Sequence, residues 1–184
     1  MTFRLLKVLT VSAALLASGA ATAQDNPTVG GAPMFADKTI VENAVNSPVH
    51  TTLVAAVQAA GLVDTLSGRG PFTVFAPVNA AFAKLPAGTV DTLLQPENKG
   101  QLTGVLTYHV VAGKLSGGEL LRRARAGGAQ ARLTTVQGGN LTLVPSGRGV
   151  AVVDANGNTS VVTTADVNQS NGVIHVVNNV LLPS

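Results

Sequence analysis

Gly70-Pro71-Phe72-Thr73-Val74-Phe75-Ala76-Pro77-Val78-Asn79-Ala80-Ala81-Phe82 is the stretch from which the rest of the chain is read. Phe72 to Ala76 is an aromatic and β-branched run closed by a proline, which predicts a strand. Asn79 follows where its side chain can accept a backbone N–H and start a short helix over Ala80-Ala81-Phe82. The chain has five Phe, one Tyr and no Trp. Phe72, Phe75 and Phe82 therefore carry much of the aromatic bulk available to a core.

Before this stretch the pattern is helical. Ile40, Val41, Ala44 and Val45 recur at helical spacing until Ser47-Pro48 interrupts them. Thr51 or Thr52 is placed to cap a second helix that ends at Gly61, with Leu53, Val54 and Val57 inward. After it, Thr89 to Leu94 and Glu97 to Leu106 read as helices separated by Pro96. Tyr108 to Val111 reads as a strand. Ser116-Gly117-Gly118-Glu119 has the form of a capping box opening a helix that stops at Gly127-Gly128.

Beyond Gly128 the period changes to two. Ala131 to Val136 and Asn140 to Val144 flank Gln137-Gly138-Gly139. Gly149 to Asp154 and Thr159 to Thr163 flank Asn156-Gly157, a strong hairpin signal. Asn171-Gly172 introduces a last strand, Val173 to Leu182, through a turn expected to need positive φ. Its run Val173-Ile174-His175-Val176-Val177 predicts burial on both faces. Helices first and hairpins last predict an α+β domain around a largely antiparallel sheet.

At the N-terminus, Arg4 and Lys7 precede an apolar run from Val8 to Ala17, and Ala21-Thr22-Ala23 is a small-x-small cleavage site. Residues 1–23 read as a signal peptide, because the run is about half the roughly 20 residues of a spanning helix. No transmembrane segment is expected after cleavage. Residues 24–36, rich in Gly, Pro and Asn, read as a flexible spacer, and residues 37–184 as one domain. Cleavage leaves ten Lys and Arg against nine Asp and Glu, a near-neutral chain with no electrostatic footprint for nucleic acid. The chain has no cysteine, which excludes disulfides and thiolate chemistry. Export to the periplasm, the cell surface or the medium of a bacterium is the expectation.

Three segments in order extend the reading. Residues 70–82, Leu106-Thr107-Tyr108-His109-Val110-Val111, and Asn171 to Pro183 resemble the two signature boxes and the central Tyr-His box of the fasciclin domain family. The likeness runs from about Ile40 to Pro183. Val78 departs from it, since many relatives carry Thr before the Asn. The resemblance implies a wedge-shaped β-sandwich with helices packed along one side. It also implies a non-enzymatic, exported module for adhesion-type contact with a cell-surface or matrix protein or polysaccharide. The alternative expectation is a carrier of a small apolar ligand such as a lipid or pigment.

Candidate interaction residues are Tyr108 and His109, through the family's Tyr-His region, and Arg122 and Arg125, which share a helical face and suit an anion or acidic polysaccharide. As neighbours on a strand, Tyr108 and His109 are expected to point to opposite faces. His175 reads as structural and His50 as a surface residue. The three histidines have no recognised ligand spacing, so no metal or cofactor is expected. No G-x-S-x-G elbow is present, and Glu42, Asp64, Asp91 and Glu97 form no local pair, so no catalytic residue is assigned.

Overall fold

The computed structural model describes residues 26–184; the expected signal peptide lies outside them. Seven helices and seven strands follow one another as α1 (Ile40–Asn46), α2 (Thr51–Ala60), α3 (Val63–Ser67), β1 (Phe72–Pro77), α4 (Asn79–Phe82), α5 (Thr89–Leu93), α6 (Lys99–Tyr108), β2 (Val110–Ala112), α7 (Gly117–Ala126), β3 (Arg132–Thr134), β4 (Asn140–Ser146), β5 (Gly149–Val153), β6 (Thr159–Gln169) and β7 (Gly172–Val177). Short 3₁₀ turns occupy Pro96–Asn98 and Gly128–Ala131.

The strands form one mixed sheet in the order β2-β1-β7-β6-β5-β4-β3. Five of its pairs are antiparallel; β1 and β7 run parallel, with Phe72 opposite Gly172 and Phe75 opposite His175. Val111 bridges Thr135, and Val136 donates to the Val110 carbonyl at 2.8 Å, so the two edge strands meet and the sheet is nearly closed. Closure leaves little unpaired strand edge to recruit another chain.

Alternation along the central strands divides the core in two. Val74 and Ala76 of β1, with Ile174 and Val176 of β7, face a layer made by α1, α2, α3 and α6. Phe75 and Val177 face the other way, into a cluster with Tyr108, Leu120, Leu133, Leu141, Leu143 and Val152. Every residue of β7 is buried, as its β-branched run implies. Helices therefore cover one face of the sheet, and α7 caps the second core.

Local chemistry departs from the sequence reading in six places. Asn79 does not cap α4: Val78 holds that position, and the Asn79 Oδ1 accepts instead from Thr52 N–H at 3.0 Å. It thereby satisfies the first turn of α2, whose own cap position, His50, offers no side-chain bond. Tyr108 ends a helix and is not in a strand; α6 runs on to it because Leu102 and Leu106 keep the helical stripe buried. Gly172 has no positive φ; a Cβ there would stand 2.2 Å from the Phe72 carbonyl, so close backbone approach requires the glycine. Ser116 does cap α7, but Glu119 turns to arginines and leaves the box half made. His50 is buried. Of the stretch expected as a spacer, residues 26–36 lie against the domain, with Val29 and Met34 buried in the helix-side core.

Candidate interaction site

Tyr108 and His109 sit where α6 passes directly into β2. His109 keeps helical backbone angles, and its carbonyl accepts from Phe75 N–H at 2.9 Å, so a single turn residue carries the helix into the sheet. Both side chains are inside: Tyr108 is 0% exposed and His109 3%. The Tyr108 hydroxyl donates to the Asn140 carbonyl at 2.8 Å and accepts from Ala155 N–H at 2.9 Å. It ties the end of α6 to two hairpins. Burial pushes its pKa up, against the Ala155 N–H, which pulls it down.

His109 Nε2 accepts from Leu181 N–H at 3.0 Å, so Nδ1 carries the proton and donates to the Val105 carbonyl at 2.8 Å. The imidazole is neutral and its tautomer is set by these two bonds. Burial lowers its pKa to about 4, against the opposing pull of the Val105 carbonyl and Asp154. His175 repeats the logic on β7: its Nδ1 accepts from Asp166 N–H at 3.3 Å, and its Nε2–H donates to the Leu115 carbonyl at 2.8 Å. His50 Nδ1 lies 2.8 Å from Ser47 Oγ. Burial lowers the pKa of both. The three rings are held in separate places, and among the described residues no three His, Asp or Glu side chains are grouped to hold a metal ion.

Arg122 and Arg125 are exposed on α7. Arg122 clasps Glu119 with Nε and Nη2 at 2.9 and 2.7 Å, and Arg123 adds a bond at 2.8 Å. These two cations, Arg122 first, pull the Glu119 carboxyl down to about 2. Arg125 makes no ion pair among the described residues. The four candidates thus form no single site: two lie inside the barrel seam and two on the outer helix.

Sequence reasoning passed over two polar anchors. Asp154 accepts from Asn156 N–H, Asn158 N–H, Asn158 Nδ2 and Leu182 N–H at 2.8–3.0 Å, fastening the C-terminal segment to the β5–β6 turn. The Asp-x-Asn-Gly spacing of an Asx-type turn was the available signal. Asn171 Oδ1 accepts from Ile40 N–H at 3.0 Å, while its Nδ2 donates to the Leu66 and Gly68 carbonyls at 2.7 and 3.0 Å. That role joins partners more than a hundred residues apart, which no local pattern reveals.

A nearly closed mixed sheet with helices over one face, and signature segments whose polar atoms bond inward, define an architectural module. The fasciclin domain family matches residues 48–183, and the chain belongs to that family. It is 45% identical over 162 residues to Protein sll1483 of Synechocystis sp., covering 88% of this chain and 83% of that one. It is 38% identical over 145 residues to immunogenic protein MPB70 of Mycobacterium bovis, covering 76% of this chain and 66% of the relative. In structure it resembles the FAS1 domain pair of the insect cell adhesion molecule fasciclin I, with a TM-score of 0.71 at 18% identity, over 79% of this chain and 51% of that one. The last likeness establishes the fold. No helix among the described residues is long and apolar enough to cross a membrane.

Proposed function

We propose that the chain is an exported, non-enzymatic fasciclin module that makes adhesion-type contact with a cell-surface or matrix component of a bacterium. One observation carries this reading. The polar atoms of Tyr108, His109, Asn79 and Asn171, in the family's signature segments, bond within the fold. They hold the architecture and leave contact to the outer surface. The fold shared with a domain pair of a cell adhesion molecule supports the same class of role. On this reading Tyr108 and His109 act by holding surface loops in place. The purified domain should bind saturably to intact cells or isolated envelope of the host, and turn over nothing it binds. Absence of saturable binding to cells, envelope polymer and matrix protein would remove the proposal.

A second reading, a carrier of a small apolar ligand, rests on a crevice between α1, α2, α3 and β1. Val41, Ala44, Val54, Val57, Val63 and Leu106 are among its walls, and its exposed surface is wholly apolar. Its void is only about 40 Å³, so a lipid enters only if the helices part. Mass spectrometry of an organic extract of native protein tests this: a single co-purifying apolar compound supports it, and a clean extract removes it.

A further inference from the structure

A second opening lies where β1 and β7 begin. There the N-terminus of α1, the loop after α3, the β6–β7 turn and the segment after β2 enclose an open groove of about 440 Å³. That lies within the roughly 300–1,000 Å³ of small-molecule sites. Its walls include Ser67, Arg69, Pro71, Lys114 and Ser170. The only charged side chains lining it, Arg69 and Lys114, are both cations. Both are exposed, and neither forms an ion pair among the described residues. Thr39, also in the wall, donates its N–H at 2.7 Å and its hydroxyl at 2.9 Å to the Glu42 carboxylate.

The floor is preorganised. Asn171 bonds Ile40 N–H and the Leu66 and Gly68 carbonyls, and Ser170 N–H donates to the Lys38 carbonyl at 2.9 Å. Gly70 admits no side chain, since a Cβ would stand 2.0 Å from the Asn171 carbonyl. Gly113 N–H donates to the Pro71 carbonyl at 2.9 Å, so the backbone holds the segments bearing Arg69 and Lys114 side by side in the wall of one cavity without relying on either side chain. The hydroxyls of Ser67 and Ser170 make no hydrogen bond to the described residues and are available to a ligand. Pro71 is the one substantial apolar surface. Hydroxyls, amides, one small apolar ring and two cations suit a sugar bearing an anionic group better than a lipid or an apolar peptide.

We infer that this groove binds the carboxylate- or sulfate-bearing sugar of an acidic polysaccharide. Arg69 and Lys114 take the anion, and the serine hydroxyls take the ring hydroxyls. The inference rests on the contact function proposed above and names one partner class and its place. It moves the anion contact from Arg122, already clasped by Glu119, to cations that share a formed cavity.

The test measures binding of the protein to polygalacturonate and chondroitin sulfate fragments by calorimetry at low and high salt, with neutral dextran as control. Wild type should bind both acidic glycans and not dextran, and binding should weaken as salt rises. Arg69→Ala with Lys114→Ala should weaken binding at least about tenfold, whereas Arg122→Ala with Arg125→Ala should leave it within about twofold. All four positions are exposed, and thermal melts confirm that each variant folds. Ser67→Ala with Ser170→Ala should weaken glycan binding while leaving any poly-glutamate binding unchanged. Equal loss in the α7 variant, no loss in the groove variant, or equally tight binding of poly-glutamate each overturns the inference. Wild type that binds cells but neither glycan overturns the groove assignment alone; wild type that binds no cell, envelope or matrix component overturns the contact function itself.

Discussion

His109 shows how one buried side chain couples stability to pH. Folded, its imidazole resists protonation until about pH 4; unfolded, it takes a proton near the ordinary 6.5. Below 6.5 the unfolded chain binds the extra proton, so stability is full above that pH and falls as pH drops toward 4. The expected loss from this residue is ~3 kcal/mol, and His50 and His175, shifted in the same direction, add to it. Urea denaturation between pH 7 and 4 should show the decline, and the His109 ring resonances should not titrate near 6.5 in the folded protein. Titration there would contradict the bonding pattern. Asn79 offers a second test. Asn79→Ala removes the bond to Thr52 N–H and those to the Pro48 carbonyl and Thr51 hydroxyl, at 3.2 and 2.9 Å. Loss of a helix cap costs ~1–2 kcal/mol, and hydrogen exchange should rise in the first turn of α2 and leave α4 little affected.

Among elements, α6 and the β3–β4 turn make opposite predictions for the same substitution. Gly104 lies inside α6, with nothing within 4 Å of an added Cβ. Gly104→Ala should raise stability by ~0.5–1 kcal/mol, because alanine loses less backbone freedom on forming a helix. Gly139 stands at the turn, where a Cβ would meet Tyr108 Cε2 at 2.6 Å. The Tyr108 ring is held by both bonds of its hydroxyl and has no room to yield. Gly139→Ala should therefore cost ~1–3 kcal/mol, read as a lowered urea midpoint with unchanged slope. The two cases separate a glycine that only loosens a helix from one that a neighbouring ring demands.

For the whole molecule, the sheet closes where its edge strands β2 and β3 meet, and its middle is joined by the last strand, β7, returning to lie beside the first, β1. β1 lies between β2 and β7, so the second half of the chain must return before the first half is complete. The N-terminal segment joins the same structure: Val29 and Met34 are buried, and Asn26 exchanges bonds with Asn168 at 2.7 and 3.1 Å. A chain beginning at Asp37 should be less stable than one beginning at Asn26 by ~3 kcal/mol, the order expected for losing the burial of two large apolar side chains and uncovering the core beneath them. Equal midpoints in urea would show that the segment contributes no stability.

Local pattern alone determined the α+β class, the strand at residues 72–76, the hairpins at Gly138 and Gly157, and the buried run of β7. Each depends on periodicity, proline or turn chemistry carried by adjacent residues, and the three family segments added the architecture by resemblance. Tertiary structure decided what those residues do to distant ones. It showed that Tyr108 closes a helix, because the stripe of Leu102 and Leu106 outlasts a β-branched run that begins only at Val110. Likewise, Asn79 caps a helix 27 positions earlier, and Gly172 is needed for a neighbouring strand's carbonyl, not for its own turn. The groove of Arg69 and Lys114 belongs to the same class. It is assembled from four segments that meet only when β1 pairs with β2 and β7, and a side chain's partners across such a pairing leave no trace in its neighbours along the chain.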